Sequence, residues 1–111
     1  MNYHRKGYVY ILSNYTRTVL YVGVTNNLVR RCGEHVNKRN SGFTSQYHVY
    51  YLIYYEEFES IVDAIKREKR IKAFTRIKKE ELIASFNPQK INLFVSNKIC
   101  SPPKLDKNPT P

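Results

Sequence analysis

Short runs of apolar and β-branched residues alternate along the chain with polar, turn-forming segments. Residues 7–12 read Gly-Tyr-Val-Tyr-Ile-Leu, and residues 19–24 repeat this character after a polar stretch over 13–18. Such composition favours strands. The connection is too short for a crossover, so the pattern predicts an antiparallel hairpin. In this hairpin we expect Tyr10 and Tyr21 in adjacent strands and on the same face.

A helical period follows the hairpin. Residues 25–27, Thr-Asn-Asn, form a good capping cluster, and a helix is predicted from residue 28 to about residue 38. Leu28, Arg31 and His35 recur on one stripe of that helix. Gly33 lies inside it and costs roughly 1 kcal/mol relative to alanine. The stripe predicts that Arg31 and His35 face the sheet that carries the two tyrosines.

The second half of the chain predicts one more strand and two more helices. Residues 47–56 are densely aromatic and aliphatic, and we expect this strand at the centre of the sheet. Ser60 opens a helix to about residue 74, and Thr75 restarts a helix over 76–86 that stops at Asn87-Pro88. The order strand, strand, helix, strand, helix, helix predicts an α+β fold with a three-stranded antiparallel sheet flanked by helices.

Length and composition predict one folded domain with an extension. A chain of 111 residues has room for one domain, which we place at residues 1–96. Residues 97–111 are rich in proline and lysine and predict a flexible tail. Two cysteines and a polar N-terminus without an apolar segment predict an intracellular, reducing, cytoplasmic location and no zinc site.

The net charge points to a polyanionic partner. Lys and Arg number 19 against 9 acidic residues, a formal charge of +10. Such a field attracts nucleic acid, and we expect DNA as the partner. A membrane is not expected as a partner, because no apolar run approaches the ~20 residues of a spanning helix.

One acidic residue interrupts the most basic segment. Glu68 is the only acid between Lys66 and Lys79, and it lies on the apolar stripe formed by Ile61, Ile65 and Ile71. An inward carboxylate is costly unless it is paired or binds a cation. A salt bridge to Arg31 or Lys72 and a metal-binding role explain it equally well. A magnesium site commonly needs only one or two carboxylates, so one glutamate suffices.

Each remaining candidate has an ordinary structural explanation when it is taken alone. Arg31 could be a surface cation and His35 a buried histidine bonded to backbone, and tyrosines are common in sheets. A phenol acts as a general base only where cations or hydrogen-bond donors stabilise the phenolate. The combination therefore carries more weight than its members.

These residues resemble the GIY-YIG nuclease superfamily, most closely its small stand-alone bacterial members. Tyr8-Val9-Tyr10 is similar to the first family triplet, with Tyr8 where the family name has glycine, and Tyr21-Val22-Gly23 is similar to the second. The spacing from Tyr21 to Arg31 and His35 and the segment 65–69 around Glu68 complete the resemblance, which covers residues 7–90. Val24 departs from relatives that carry a lysine or other polar group after the second triplet.

The resemblance implies hydrolysis of DNA phosphodiester bonds with one divalent cation, Mg²⁺ or Mn²⁺. Glu68 would bind the metal, Tyr10 or Tyr21 would deprotonate the attacking water, Arg31 would stabilise charge on the phosphate, and His35 would assist proton transfer or orientation. The late asparagine of the family is assigned to Asn87 in preference to Asn92.

The chain lacks room for the separate DNA-binding domain of larger relatives. Substrate choice must then come from its own surface, a homodimer or a partner protein. The surface expected to contact the DNA backbone comprises Arg30, Lys38, Arg39, Lys66, Lys69, Arg70 and Lys72, although a solvated helix face would have the same composition.

Two functions follow from these observations. The first is a metal-dependent endonuclease, for which branched or damaged DNA of the kind met in repair and recombination is the candidate substrate. The alternative is a non-catalytic nucleic-acid-binding module that retains the fold. A purely structural interaction protein is disfavoured by the charge.

Overall fold

A computed structural model describes residues 5–37 and 46–103 and shows an α+β architecture in that part of the chain. The strands are β1 (Gly7–Ser13), β2 (Leu20–Thr25), β3 (Tyr51–Phe58), β4 (Phe94–Val95) and β5 (Lys98–Ile99). The helices are α1 (Leu28–Val36), α2 (Ile61–Lys72) and α3 (Arg76–Phe86). The predicted fold class and the order β-β-α-β-α-α are confirmed.

The main sheet has the strand order β2-β1-β3, and both pairings are antiparallel. The prediction that β3 lies at the centre was wrong, because β1 holds that position. Val9 and Tyr10 point to opposite faces of β1 and both are buried, as a central strand requires. At β3 the exposed Glu57 marks an edge, where charged residues disfavour pairing with another chain.

The sheet separates two packed layers. On one face, Val9, Ile11 and Val22 pack with Ala64 and Ile71 of α2. Gly7 permits this close approach, since a β-carbon there would lie 2.7 Å from the Cβ of Ala64.

On the other face, Tyr10 and Leu12 pack with Leu28 and Cys32 of α1. Because side chains alternate along a strand, this arrangement assigns α1 and α2 to opposite faces of the sheet.

Each helix begins where its capping residue predicts. The side chains of Asn27, Ser60 and Thr75 accept hydrogen bonds from the backbone N–H groups of the first turns of α1, α2 and α3. Helix α2 differs from prediction in its stripe, because Ile65 is exposed and Ala64 takes its buried place.

A short ribbon follows the three helices and was not predicted. Strands β4 and β5 pair through a turn in which Ser96 and Asn97 have φ of 53° and 62°. The backbone N–H of Cys100 donates to the carbonyl of Leu93 at 2.7 Å. Residues 97–99 therefore belong to the folded unit and not to the tail predicted from residue 97, whereas 104–111 lie outside the described residues. No helix in the described ranges has the length and apolar character needed to cross a membrane.

Candidate active site

The strand register brings the two candidate phenols together. Tyr10 of β1 pairs with Gly23 of β2 and with Tyr55 of β3, and Tyr21 lies two residues before Gly23. The ring centroids of Tyr10 and Tyr21 are 6.3 Å apart. Both rings pack in the layer under α1, which confirms that they share a face.

Helix α1 adds a guanidinium and an imidazole to the phenols. Arg31 Nε donates to the hydroxyl of Tyr10 at 3.3 Å, and this hydroxyl lies 3.2 Å from His35 Nε2. The imidazole also stands edge-on to Tyr21, with centroids 5.7 Å apart. We call Tyr10, Tyr21, Arg31 and His35 the phenol–imidazole cluster. Arg31 and His35 are therefore not ordinary surface groups, since each contacts a phenol of this cluster.

Burial sets the protonation of the cluster. It raises the pKa of Tyr10 to about 12, against a smaller opposing effect of the Arg31 hydrogen bond. Burial and then the charge of Arg31 lower the pKa of His35 to about 4. At neutral pH, Tyr10 is therefore protonated and His35 is neutral. The arrangement consistent with these states has the Tyr10 hydroxyl accepting from Arg31 and donating to Nε2 of His35.

Glu34 fixes the orientation of Arg31 and was missed from the sequence. Its two carboxylate oxygens pair with Arg31 Nη1 at 3.0 Å and with Arg30 Nη1 at 2.9 Å. The hydrogen bonds from Arg31 and then Arg30 lower the pKa of Glu34. The signal in the sequence is an acid placed three and four residues after two consecutive arginines, a spacing that favours ion pairs on a helix.

Glu68 is buried on α2, as its position on the apolar stripe predicts. Its side chain pairs with Lys72 Nζ at 2.7 Å, so one of the two expected salt bridges forms. Helix α2 packs on the sheet face opposite α1. Among the described residues, no hydrogen bond or ion pair joins Glu68 to the phenol–imidazole cluster. Helix α2 also contacts β2, the edge strand that carries Tyr21.

The donor chemistry of Glu68 suits a hard divalent cation. Carboxylate oxygen is the ligand type that Mg²⁺ prefers, and such sites complete their coordination with water and substrate phosphate. Within the described residues, no group of three or more His, Cys, Asp or Glu side chains could hold a metal. A cation at Glu68 would therefore bind one or two such side chains of the described residues and complete its coordination with other oxygens.

The side chain of Asn87 bonds to the surrounding backbone. It is buried at the end of α3, and its amide nitrogen donates to the carbonyls of Ile53 at 3.1 Å and Ile91 at 2.8 Å. Its oxygen accepts from the backbone N–H of Ile91 at 3.2 Å. The bond to Ile53 fastens the end of α3 to β3, and the two bonds with Ile91 hold the segment that follows the helix.

The predicted DNA-contacting cations divide into three groups. Lys66, Lys69 and Arg70 are exposed along α2 and form no ion pair with the described residues. Arg30 and Lys72 are engaged by Glu34 and Glu68. Lys38 and Arg39 lie outside the described residues.

Comparison with known proteins identifies a matching family and several relatives. A family model described as the GIY-YIG catalytic domain matches residues 6–81, a range that contains the phenol–imidazole cluster and Glu68 and ends before the β4–β5 ribbon. A UPF0213 protein of Natronomonas pharaonis is 40% identical over 77 residues, which cover 69% of this chain and 89% of the relative. A UPF0213 protein of Clostridium perfringens is 41% identical over 78 residues, covering 70% and 83%.

A solved structure is also similar. The solution NMR structure of a UPF0213 protein from Bacillus halodurans is 29% identical, with a TM-score of 0.47, and the match covers 72% of this chain and 84% of that one.

Proposed function

The chain belongs to the GIY-YIG family, and from that membership we propose that it is a metal-dependent endonuclease that hydrolyses phosphodiester bonds in DNA. The family domain itself suggests a nuclease. The observation that carries the proposal is the hydrogen-bonded series Arg31–Tyr10–His35 beside Tyr21. Such a series holds a cation and a phenol in fixed positions, and a positioned cation can stabilise charge that develops on a phosphate.

Arg31 is the group proposed to hold the scissile phosphate. Its Nε is used by Tyr10 and its Nη1 by Glu34, which leaves Nη2 without a bond to the described residues. A guanidinium oriented on two sides presents its remaining donor in a fixed direction. Charge that develops on phosphate oxygens would be stabilised by a donor already in place.

Tyr21 is proposed as the phenol that meets the attacking water. Tyr10 is only 1% exposed, and its hydroxyl is occupied by Arg31 and His35. Tyr21 is half-buried and lies on the edge strand β2. Arg31 interacts electrostatically with Tyr21 and so supplies the nearby cation that a phenol needs in order to act as a general base. Tyr10 then acts as a positioning group that links Arg31 to the neutral His35.

Glu68 is proposed to hold Mg²⁺ or Mn²⁺. A bound cation would act as a Lewis acid on the phosphate. The ion pair with Lys72 offsets part of the cost of burying the carboxylate. With Glu68 and Tyr21 on elements that meet at the edge of β2, we place the phosphodiester along that edge.

The exposed cations Lys66, Lys69 and Arg70 are proposed to contact the DNA backbone. Contacts of this kind position a duplex and carry little sequence information. Preference for particular DNA structures would then come from shape, from a second copy in a homodimer, or from a partner protein. These contacts are consistent with the formal charge of +10.

A cleavage assay tests the proposed activity. The purified protein, with Mg²⁺ or Mn²⁺, should cut at least one member of a panel of plain, nicked and branched DNA. Glu68→Gln should abolish cutting and retain DNA binding, whereas Glu81→Gln, which neutralises an exposed acid of α3, should cut normally. Cleavage by Glu68→Gln equal to that of the unaltered protein would refute the assignment.

One observation favours a non-catalytic DNA-binding module as the second candidate. Lys72 already neutralises Glu68, and no hydrogen bond or ion pair connects this carboxylate with the described members of the phenol–imidazole cluster. DNA binding that depends on salt, with no cleavage of any substrate in the presence of any metal tested, would support this second function.

A further inference from the structure

A groove of about 520 Å³ opens on the sheet face that carries the phenol–imidazole cluster. Its lining includes Tyr8, Asn26, Asn27, Tyr55, Glu57 and Ile99. We propose that this groove receives one unpaired nucleobase of a DNA substrate, so that the protein selects DNA with an unpaired nucleotide next to the bond to be cut. The inference rests on the proposed function for the presence of DNA at the site.

The register places the groove one repeat along the sheet from Tyr10. Tyr8 and Tyr10 point to the same face of β1, since they are two residues apart. Tyr8 pairs with Thr25 and with Glu57, whereas Tyr10 pairs with Gly23 and with Tyr55. Two strand residues span about 6.8 Å. A nucleotide whose phosphate lies at Arg31 can therefore place its base, or that of its neighbour, in the groove.

The aromatic lining suits the flat face of a base. Tyr8 and Tyr55 are both half-buried, and both line the groove. The hydroxyl of Tyr8 forms no hydrogen bond with the described residues, while that of Tyr55 donates to the carbonyl of Cys100 at 3.4 Å. Bases stack on aromatic side chains irrespective of sequence, because every base has a π-face.

The polar lining suits the edge of a base. Asn26 and Asn27 use their side-chain oxygens to accept from Arg30, which leaves their NH₂ groups without a partner among the described residues. Glu57 adds a carboxylate acceptor. Base edges present donors and acceptors together, and glutamate accepts from an exocyclic amine.

The charge of the groove favours a base over a phosphate. Glu57 lines the groove. Its carboxylate is paired at 2.7 Å with Nζ of Lys6, whose side chain is exposed. Arg30, which follows the α1 residues of the lining, is taken up by Glu34 and Asn26. The cations at the groove, Lys6 and Arg30, are thus already paired with acids, whereas Arg31 has an Nη2 that bonds none of the described residues and can receive a phosphate. The neutral part of a nucleotide is the part that fits.

The groove is built from features outside the general family pattern. Ile99, and the carbonyl of Cys100 that receives the Tyr55 hydroxyl, lie beyond the family-matched residues 6–81. Tyr8 stands where the family name has a glycine. The ribbon and this tyrosine together make a wall and a platform beside the site, an arrangement that serves substrate selection.

A binding experiment in EDTA isolates this groove from catalysis. The probe is a duplex with one unpaired 2-aminopurine, compared with a fully paired duplex of the same length. The Kd for the fully paired duplex should be roughly ten times the Kd for the probe with the unpaired base. Tyr8→Ala should bring the ratio close to one. Tyr8→Phe, which keeps the ring, and Tyr15→Ala, which removes a distant tyrosine that is 77% exposed, should preserve it.

Fluorescence of the 2-aminopurine supplies a second readout, since stacking on Tyr8 should quench it. If Tyr8→Ala fails to fold by circular dichroism, Ile99→Ala at the outer wall takes its place and should reduce the ratio. A ratio near one in the unaltered protein, or a ratio unchanged by the folded groove variant, would overturn the proposal.

The outcomes separate this inference from the proposed activity. An unaltered protein that cuts DNA in Mg²⁺ but shows no preference for the unpaired base would sink the groove proposal alone. A protein with the preference and no cleavage would retain the groove and lose the proposed activity.

Discussion

Gly23 leaves the space that the phenol of Tyr10 occupies. The two residues are partners in the β1–β2 register, and a β-carbon at Gly23 would stand 2.5 Å from both Cζ and the hydroxyl oxygen of Tyr10. This glycine therefore allows the hydroxyl to lie between Arg31 and His35. Gly23, the last residue of the triplet Tyr21-Val22-Gly23, is therefore important because it has no side chain.

Gly23→Ala should damage stability and activity together. The added methyl group would force the Tyr10 ring to move, an overpacking that typically costs about 1–3 kcal/mol. The free energy of unfolding measured in urea should fall by that amount, and cleavage should fall further because the Tyr10 hydroxyl leaves its partners.

Gly33→Ala is the matched control. A β-carbon at Gly33 would make ordinary contacts, 3.7 Å from Asn97 Oδ1 and 4.0 Å from Phe94 Cζ. In the interior of α1, alanine is preferred to glycine by roughly 1 kcal/mol, so the variant should be more stable. Equal losses in the two variants would contradict the steric account of Gly23.

The two phenols should respond differently to loss of their hydroxyl groups. Tyr21→Phe should lower cleavage by at least about 100-fold with little change in stability, because Tyr21 is the proposed base. Tyr10→Phe should cost about 1–3 kcal/mol of stability, since Arg31 and His35 each lose a buried partner. Single-turnover kinetics and urea unfolding measure the two effects.

The roles assigned to the phenols are exchanged if Tyr10→Phe keeps full stability and loses all cleavage. Retained cleavage in Tyr21→Phe would refute its role as base. Tyr15→Phe, at an exposed position away from the cluster, should leave both measurements unchanged.

His35 should make the protein less stable in mild acid. Burial and the charge of Arg31 lower its pKa from 6.5 to about 4, so the unfolded chain binds a proton in that range and the folded chain does not. The free energy of unfolding should therefore fall as pH decreases from 6.5 to about 4, by up to roughly 3 kcal/mol. His35→Gln should flatten this part of the profile in urea titrations at several pH values. A variant with the slope of the unaltered protein would count against the buried neutral imidazole.

The cations of α2 should control the salt dependence of DNA binding. Replacing Lys66, Lys69 and Arg70 with glutamine should reduce the slope of log K against log salt by about 0.9 for each phosphate that the protein no longer neutralises. Fluorescence anisotropy on a paired duplex measures the slope. Lys90→Gln removes one positive charge from a residue paired with Glu80 and should leave the slope unchanged. An unaltered slope in the triple variant would place the DNA on another surface.

Periodicity accounts for most of what the sequence could predict. Alternation in β1 and β2 specifies which face Tyr10 and Tyr21 occupy, and the helical period brings Arg31 and His35 to that face. The same reasoning assigns Glu68 to the inner stripe of α2. Periodicity identifies which side of helix α2 is buried. It does not determine the face of the sheet against which that side packs. That face is decided by packing between segments distant in sequence, such as Gly7 against Ala64.

Two errors have identifiable physical causes. The aromatic density of β3 suggested a central strand, although Glu56 and Glu57 at its end are typical of an edge. The β4–β5 ribbon escaped prediction because strands of two residues have no measurable period. Its turn also uses Ser96 and Asn97 at positive φ, where glycine would have been the recognisable signal.

The ribbon also has a consequence for when the protein becomes competent during its own synthesis. Leu93 and Phe94 are buried in the layer that contains Tyr10, and the backbone N–H of Leu93 donates to the carbonyl of Leu52. A nascent chain therefore carries both tyrosines, Arg31 and Glu68 out of the ribosome well before that layer can close. A polypeptide truncated before Leu93 would contain all the candidate catalytic side chains but would lack part of the packed layer beneath the phenols. The candidate site can therefore be completed only after the ribbon has been synthesised.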